Sequence, residues 1–193
     1  MAVSIFLAGR NNVHSWWIGV VGCSMLAVLF YTSKLYADVA LQLFFIVTSL
    51  IGWRRWAAAG GGNGAAGLPI SNARPVLIGL MSVAGLAATA AYGLMLHLYT
   101  DAYAPFIDSA VLMFSIVAQF LLMGRRLQTW PFWLLVNTVS VPLYASRDLK
   151  VTAVLYAVFV GMAVVGLRTW QQAAGMGSGS SGDDTGGRRL ALE

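Results

Sequence analysis

Long apolar stretches separated by short polar ones dominate the sequence. Six of them stand out, at residues 16–33, 36–53, 75–98, 106–123, 130–145 and 151–170. Crossing about 30 Å of hydrocarbon takes about 20 residues of α-helix, and these stretches reach or approach that length. Backbone N–H and C=O groups find no water in such a layer, so the segments that cross it must be helical. The pattern predicts an all-α, polytopic membrane helical bundle.

The polar residues inside these segments recur at helical spacing, so each set falls on one face. On 36–53 and just beyond it, the stripe is Asp38, Gln42, Phe45, Ser49, Trp53 and Trp56. On 106–123 it is Asp108, Ser115 and Gln119, and on 130–145 it is Trp130, Trp133, Asn137, Ser140 and Tyr144. Thr152, Tyr156 and Phe159 continue the pattern on the last segment. Polar groups in hydrocarbon are costly and mark either function or interhelical hydrogen bonds. Amides hydrogen-bond a carboxamide or hydroxyls, and aromatic rings stack on a flat or cationic ring, so the stripes suit an aromatic, nucleoside-like solute. Gln119 and Asn137 are the deepest candidates for solute contact. Trp53, Trp56, Trp130 and Trp170 stand at segment ends, where an interfacial aromatic belt is expected. His97 and Asp108 are expected near the outer surface.

Composition agrees with the pattern: 59% of the 193 residues are hydrophobic and 10% charged, against about a quarter charged in soluble domains. The net charge of +5 does not point to nucleic acid, because the cations stand singly or in pairs at segment ends. Nine of them (Arg10, Arg54, Arg55, Arg74, Arg125, Arg126, Arg168, Arg188 and Arg189) fall on one side, and Lys34, Arg147 and Lys150 on the other. The positive-inside rule then places the C-terminus cytoplasmic and Asp101, Asp108 and Asp148 outside. Residues 1–9 are apolar but lack a basic leader and a cleavage site, so they do not read as a signal peptide. The lone Cys23 offers neither a disulfide nor a multi-cysteine metal site.

A shift of 114 residues, without gaps, superposes Leu29, Leu35, Leu41, Phe45, Gly52, Arg54 and Trp56 on Leu143, Leu149, Leu155, Phe159, Gly166, Arg168 and Trp170. The same shift pairs Phe6 with Phe120, Leu7 with Leu121 and Trp16 with Trp130. Internal repeats of this kind are common in transporters. The expected plan is 3+1+3: two parallel three-helix repeats joined by a linking helix, the first helix truncated. Its parts are a first repeat at 1–56, a Gly/Ala-rich cytoplasmic loop at 57–74, a linking transmembrane helix at 75–98, a second repeat at 106–170 and a disordered cytoplasmic tail at 171–193.

No phosphate loop, metal-ligand spacing or nucleophile with a base partner is present, so neither an enzyme nor a cofactor is expected. No acidic or basic residue lies at a segment centre, which favours facilitated movement over ion-coupled pumping.

Several separated motifs share a wider pattern. Lys34-Leu-Tyr-Ala-Asp38, Leu41-Gln-Leu-Phe-Phe45, Gly52-Trp53, Val117-Ala-Gln119, Trp130-x-x-Trp133, Val136-Asn137, Pro142-Leu-Tyr144 and Thr152-Ala-Val-Leu-Tyr156 resemble, in order and spacing, the PnuC family of nicotinamide riboside transporters. The resemblance runs from Gly9 to Trp170. It implies a plan like that of SWEET transporters, a homotrimer in the lipid of the bacterial inner membrane, and facilitated diffusion of nicotinamide riboside with trapping by intracellular phosphorylation. It places substrate binding on Gln119, Asn137, Trp133, Tyr144, Tyr156 and Gln42, and Ser115 joins them from the polar stripe. Relatives of that family carry thiamine, riboflavin or deoxynucleosides. A membrane interaction protein that moves no solute is the alternative from another class.

Overall fold

The structure, a computed structural model, describes residues 2–32, 36–58, 70–100 and 103–179. Among the described residues there are seven helices: α1 (Ala2–Gly9), α2 (His14–Thr32), α3 (Tyr36–Ala58), α4 (Pro75–Tyr99), α5 (Pro105–Met123), α6 (Thr129–Ser146) and α7 (Lys150–Gly179). The six apolar segments correspond to α2 through α7. Proline explains two of the starts: Pro75 and Pro105 stand at the first helical positions, where the missing N–H costs nothing and the fixed φ already suits a helix.

Three helices are long and apolar enough to cross a membrane, Pro75–Tyr99, Pro105–Met123 and Lys150–Gly175, and α2 contributes a shorter apolar run over His14–Val28. α3 and α6 carry much of the polar stripe, Gln42, Thr48 and Ser49 on α3 and Asn137 and Ser140 on α6, and those residues are buried inside the bundle.

Two stretches differ from the sequence expectation. α7 continues past Trp170 to Gly179, into the stretch expected to be disordered, because Gln171 through Ala174 are good helix formers. Residues 180–193 lie outside the described residues. Of the expected loop at 57–74, residues 59–69 also lie outside them, but its end is fastened rather than loose. Ser71 forms a parallel bridge with Arg126, donating its N–H to Arg125 C=O and accepting from Leu127 N–H, both at 3.1 Å. Gln128 Oε1 accepts from Ala73 N–H at 2.8 Å, and the Arg126 guanidinium donates to Ser71 Oγ at 2.8 Å.

α1, α2 and α3 pack in sequence, as do α5, α6 and α7; α4 packs on α5, and the two groups meet where α1 touches α7 and α3 touches α5. The shift of 114 matches hydrogen bonds as well as residues. After α1, Arg10, Asn11 and Asn12 donate their N–H groups to Phe6, Ala8 and Leu7; after α5, Gly124, Arg125 and Arg126 donate to Phe120, Leu122 and Leu121. Both turns close a helix around a left-handed residue, Asn11 at φ 55° and Arg125 at φ 48°, in the bonding pattern of a Schellman cap.

Candidate functional site

One end of the bundle is closed by indole rings. Trp56 and Trp170 have no exposed surface, and Trp130 and Trp16 have 2% and 3%. Trp16 meets Trp56 edge to face at a centroid distance of 5.2 Å, Trp130 meets Trp170 in the same way at 5.5 Å, and Trp56 and Trp170 lie 6.3 Å apart between the two pairs. Rings fit this closely because glycine faces them: a Cβ on Gly52 would lie 2.5 Å from Trp16, and one on Gly166 would lie 2.4 Å from Trp130.

Hydrogen bonds cross the seam between the helix groups here. Trp56 Nε1–H donates to Met123 C=O at 3.3 Å, and Trp170 Nε1–H to Ala8 C=O at 3.1 Å. The guanidinium of Arg125, 2% exposed, sits 4.0 Å above the Trp56 ring, a contact favoured by the ring quadrupole. Burial pushes the Arg125 pKa down to about 10, which leaves it protonated at neutral pH. The expected interfacial belt is thus corrected for Trp56, Trp130 and Trp170, which form a packed core. Trp53, at 43% exposure, remains at the surface. Position at a segment end could not separate the two cases. The 114-residue pairing of Trp16 with Trp130, Gly52 with Gly166 and Trp56 with Trp170 is the signal that distinguishes them.

Farther along the helices the interior turns polar. Thr48 stands eight residues before Trp56 on α3, Gln119 four before Met123 on α5, and Asn137 seven after Trp130 on α6, which puts them roughly 6 to 12 Å from the tryptophan layer at 1.5 Å per residue. All three are buried, Gln119 at 6% and Asn137 at 5% exposure. Gln119 Nε2 donates to Thr48 Oγ1 at 3.3 Å across the α3–α5 seam, beside the edge-to-face pair of Phe44 and Phe120. Thr48 was not among the sequence candidates, because a lone threonine in an apolar helix carries no distinguishing signal.

The other expected residues are distributed as follows. Ser115 is buried and donates back to Val111 C=O at 2.6 Å, so its proton stays within α5. Gln42 is buried, and its Oε1 lacks a hydrogen-bond partner among the described residues. Trp133 is half-buried against the tryptophan core. Tyr144 and Tyr156 stack on one another at 5.0 Å, with Phe159 edge-on to Tyr156. The geometry therefore joins Tyr144 to Tyr156 and Gln119 to the unexpected Thr48. Asp38 carries no described side chain. At the end of the bundle away from the tryptophans, Arg147 pairs with Asp108 at 2.6 Å, both partly exposed, and His97 lies 6.3 Å from Phe106.

Two grooves are apolar and lie apart from these residues. One of about 450 Å³ is lined by Thr138, Val141, Pro142, Ala157 and Val160, and one of about 200 Å³ by Ala110, Val111, Phe114, Leu135, Val136 and Val139. Neither carries the amides, so the buried stripe, and not a surface groove, is the candidate site.

Residues 1–172 match the family described as nicotinamide mononucleotide transporter. The chain is 29% identical over 194 residues to the nicotinamide riboside transporter PnuC of Escherichia coli (strain K12), covering 88% of this chain and 81% of that protein. It is 22% identical over 169 residues to the riboflavin/roseoflavin transporter RibM of Streptomyces davaonensis, covering 87% and 79%. The crystal structure of the vitamin B3 transporter PnuC superposes with a TM-score of 0.72 over 90% of this chain and 77% of that one, at 22% identity.

Proposed function

Because the chain belongs to the nicotinamide mononucleotide transporter family, that of the PnuC proteins, and is a multi-pass membrane protein, we propose that it carries nicotinamide riboside into the cytoplasm by facilitated diffusion. The observation that carries this reading is the burial of two amides, Gln119 and Asn137, in the interior of an apolar bundle. Two buried carboxamides replace the hydration of a polar solute and offer both donors and acceptors to a carboxamide and ribose hydroxyls.

In this reading Gln119 and Asn137 hold polar groups of the solute, and Gln42 supplies an acceptor from the first helix group. Trp133 stacks on the pyridinium ring, where cation–π attraction adds to ring contact. The Tyr144–Tyr156 pair flanks the path, and Ser115 lines it. The tryptophan layer closes the path at one end, and movement of the α1–α3 group against the α5–α7 group opens it. The matched turns and tryptophan pairs support a 3+1+3 plan of parallel repeats about an axis along the membrane normal, since three-helix units joined by an odd helix keep the same orientation. Without a charged group deep in the stripe, no ion gradient drives the solute, and intracellular phosphorylation traps it. The distribution of arginines supports a cytoplasmic C-terminus in the inner membrane, and the family resemblance supports a homotrimer.

The likeness to a riboflavin transporter gives a second solute to test beside the first. Calorimetry of the purified protein with nicotinamide riboside, riboflavin and thiamine under one condition decides among them. Heat with nicotinamide riboside alone supports the assignment; heat only with another of the three reassigns the solute.

A further inference from the structure

Thr48 supplies something the amide stripe does not, namely a fixed direction for one of its members. A glutamine amide presents a carbonyl on one side and an NH2 on the other, and which of them faces a solute decides what the solute must offer. The Thr48 hydroxyl has one proton. It points back along α3 to Phe44 C=O at 2.9 Å and Phe45 C=O at 3.2 Å, the usual bond of a threonine inside a helix. With its proton so placed, Thr48 Oγ1 can only accept from Gln119, and the group that meets it at 3.3 Å is Nε2. The flip of the Gln119 amide is thereby set, and its carbonyl is left to face a donor.

A carbonyl buried in hydrocarbon discriminates strongly. It hydrogen-bonds an N–H or O–H donor, and it is left unpaired, and repelled, by a carboxylate. Thr48 is 4% exposed and lies on α3, whereas Gln119 lies on α5, so the orienting bond also spans the seam between the two helix groups.

Building on the reading of Gln119 as a solute contact, we propose that Thr48 is a positioning residue that fixes the Gln119 amide and so makes the site select a carboxamide-bearing riboside over its carboxylate counterpart. Thr48 touches no solute in this arrangement; it acts through Gln119.

The test compares nicotinamide riboside with nicotinic acid riboside, which differ in that one group, by calorimetry on the wild-type protein and on Thr48→Val and Thr48→Ser. The wild type is expected to favour the amide by about tenfold or more, the scale set by leaving one buried polar group unpaired. In Thr48→Val the amide of Gln119 is free to turn its NH2 toward a carboxylate. Affinity for the acid then rises while affinity for the amide falls, and the ratio collapses to within about threefold. Thr48→Ser restores it. A purely structural role weakens both ligands alike, so equal loss, or an unchanged ratio in Thr48→Val, overturns the proposal. If Thr48→Val does not survive purification, Thr48→Ala, which also lacks the hydroxyl, takes its place. Failure of the wild type to bind either riboside would instead strike the functional reading. A ligand-free double-mutant cycle between Thr48→Val and Gln119→Ala in thermal unfolding then decides on the orienting bond, and zero coupling there overturns it.

Discussion

The tryptophan end of the bundle and the polar interior beyond it are built on opposite principles. At the tryptophan end, four indoles fill the space between helices and glycines remove the Cβ atoms that would obstruct them; the N–H groups of Trp56 and Trp170 are satisfied across the seam, while those of Trp16 and Trp130 are buried without a partner among the described residues. In the interior, a few helical turns away, Gln42 holds a buried oxygen without a partner among the described residues, and Gln119 meets Thr48 through its Nε2. Close packing of large rings holds a fold together, whereas amides set among helices offer donors and acceptors to a solute. The contrast predicts that the two regions respond to mutation in different observables.

The largest effect is expected from Trp170→Ala, which empties a fully buried site and removes the bond to Ala8; thermal unfolding in detergent should report a loss of about 3–5 kcal/mol. Trp53→Ala, at the exposed position on α3, should fall within about 0.5 kcal/mol of wild type. Comparable losses for the two would erase the distinction between core and surface tryptophans. Next come Gly52→Ala and Gly166→Ala, each pressing a methyl group into an indole ring, with an expected cost of about 1–3 kcal/mol and similar values for the pair. Gly161→Ala, where nothing lies within 4 Å, should be neutral or slightly stabilising in the same assay.

The interior variants should move binding instead of stability. Gln119→Ala and Asn137→Ala are expected to weaken solute affinity by about 1–3 kcal/mol each, measured by calorimetry; unfolding changes little in Asn137→Ala and, in Gln119→Ala, only by the lost bond to Thr48, and unaltered affinity in both removes them from the site. The smallest effect concerns Arg126→Ala, which removes the guanidinium bonds to Ser71 Oγ and Asn72 C=O. A loss of about 0.5–1.5 kcal/mol in unfolding is expected, and no loss would mean that the backbone bridge holds the segment unaided.

Much of the bundle was legible in the sequence because long apolar segments and the helical spacing of polar residues are local signals. The six apolar segments correspond to α2–α7, and the striped residues Gln42, Ser115, Gln119, Asn137 and Ser140 are buried. What stayed hidden depends on contacts between distant positions. An indole at a helix end looks the same whether it meets lipid headgroups or two other indoles, and only the 114-residue pairing with Gly52 and Gly166 separates Trp56 from Trp53. Thr48 was invisible because its role exists only opposite Gln119, 71 positions away. The fastening of Ser71 by Arg126 was masked by the Gly/Ala-rich stretch before it, whose composition speaks for flexibility and not for the few residues that follow.

Uptake of radiolabelled nicotinamide riboside into proteoliposomes of the purified chain, without any imposed ion gradient, tests the account most directly. Equilibration to equal inside and outside concentrations, slowed in Gln119→Ala and Asn137→Ala, is the predicted result. Entry no faster than into protein-free liposomes, or accumulation that requires a gradient, would contradict it.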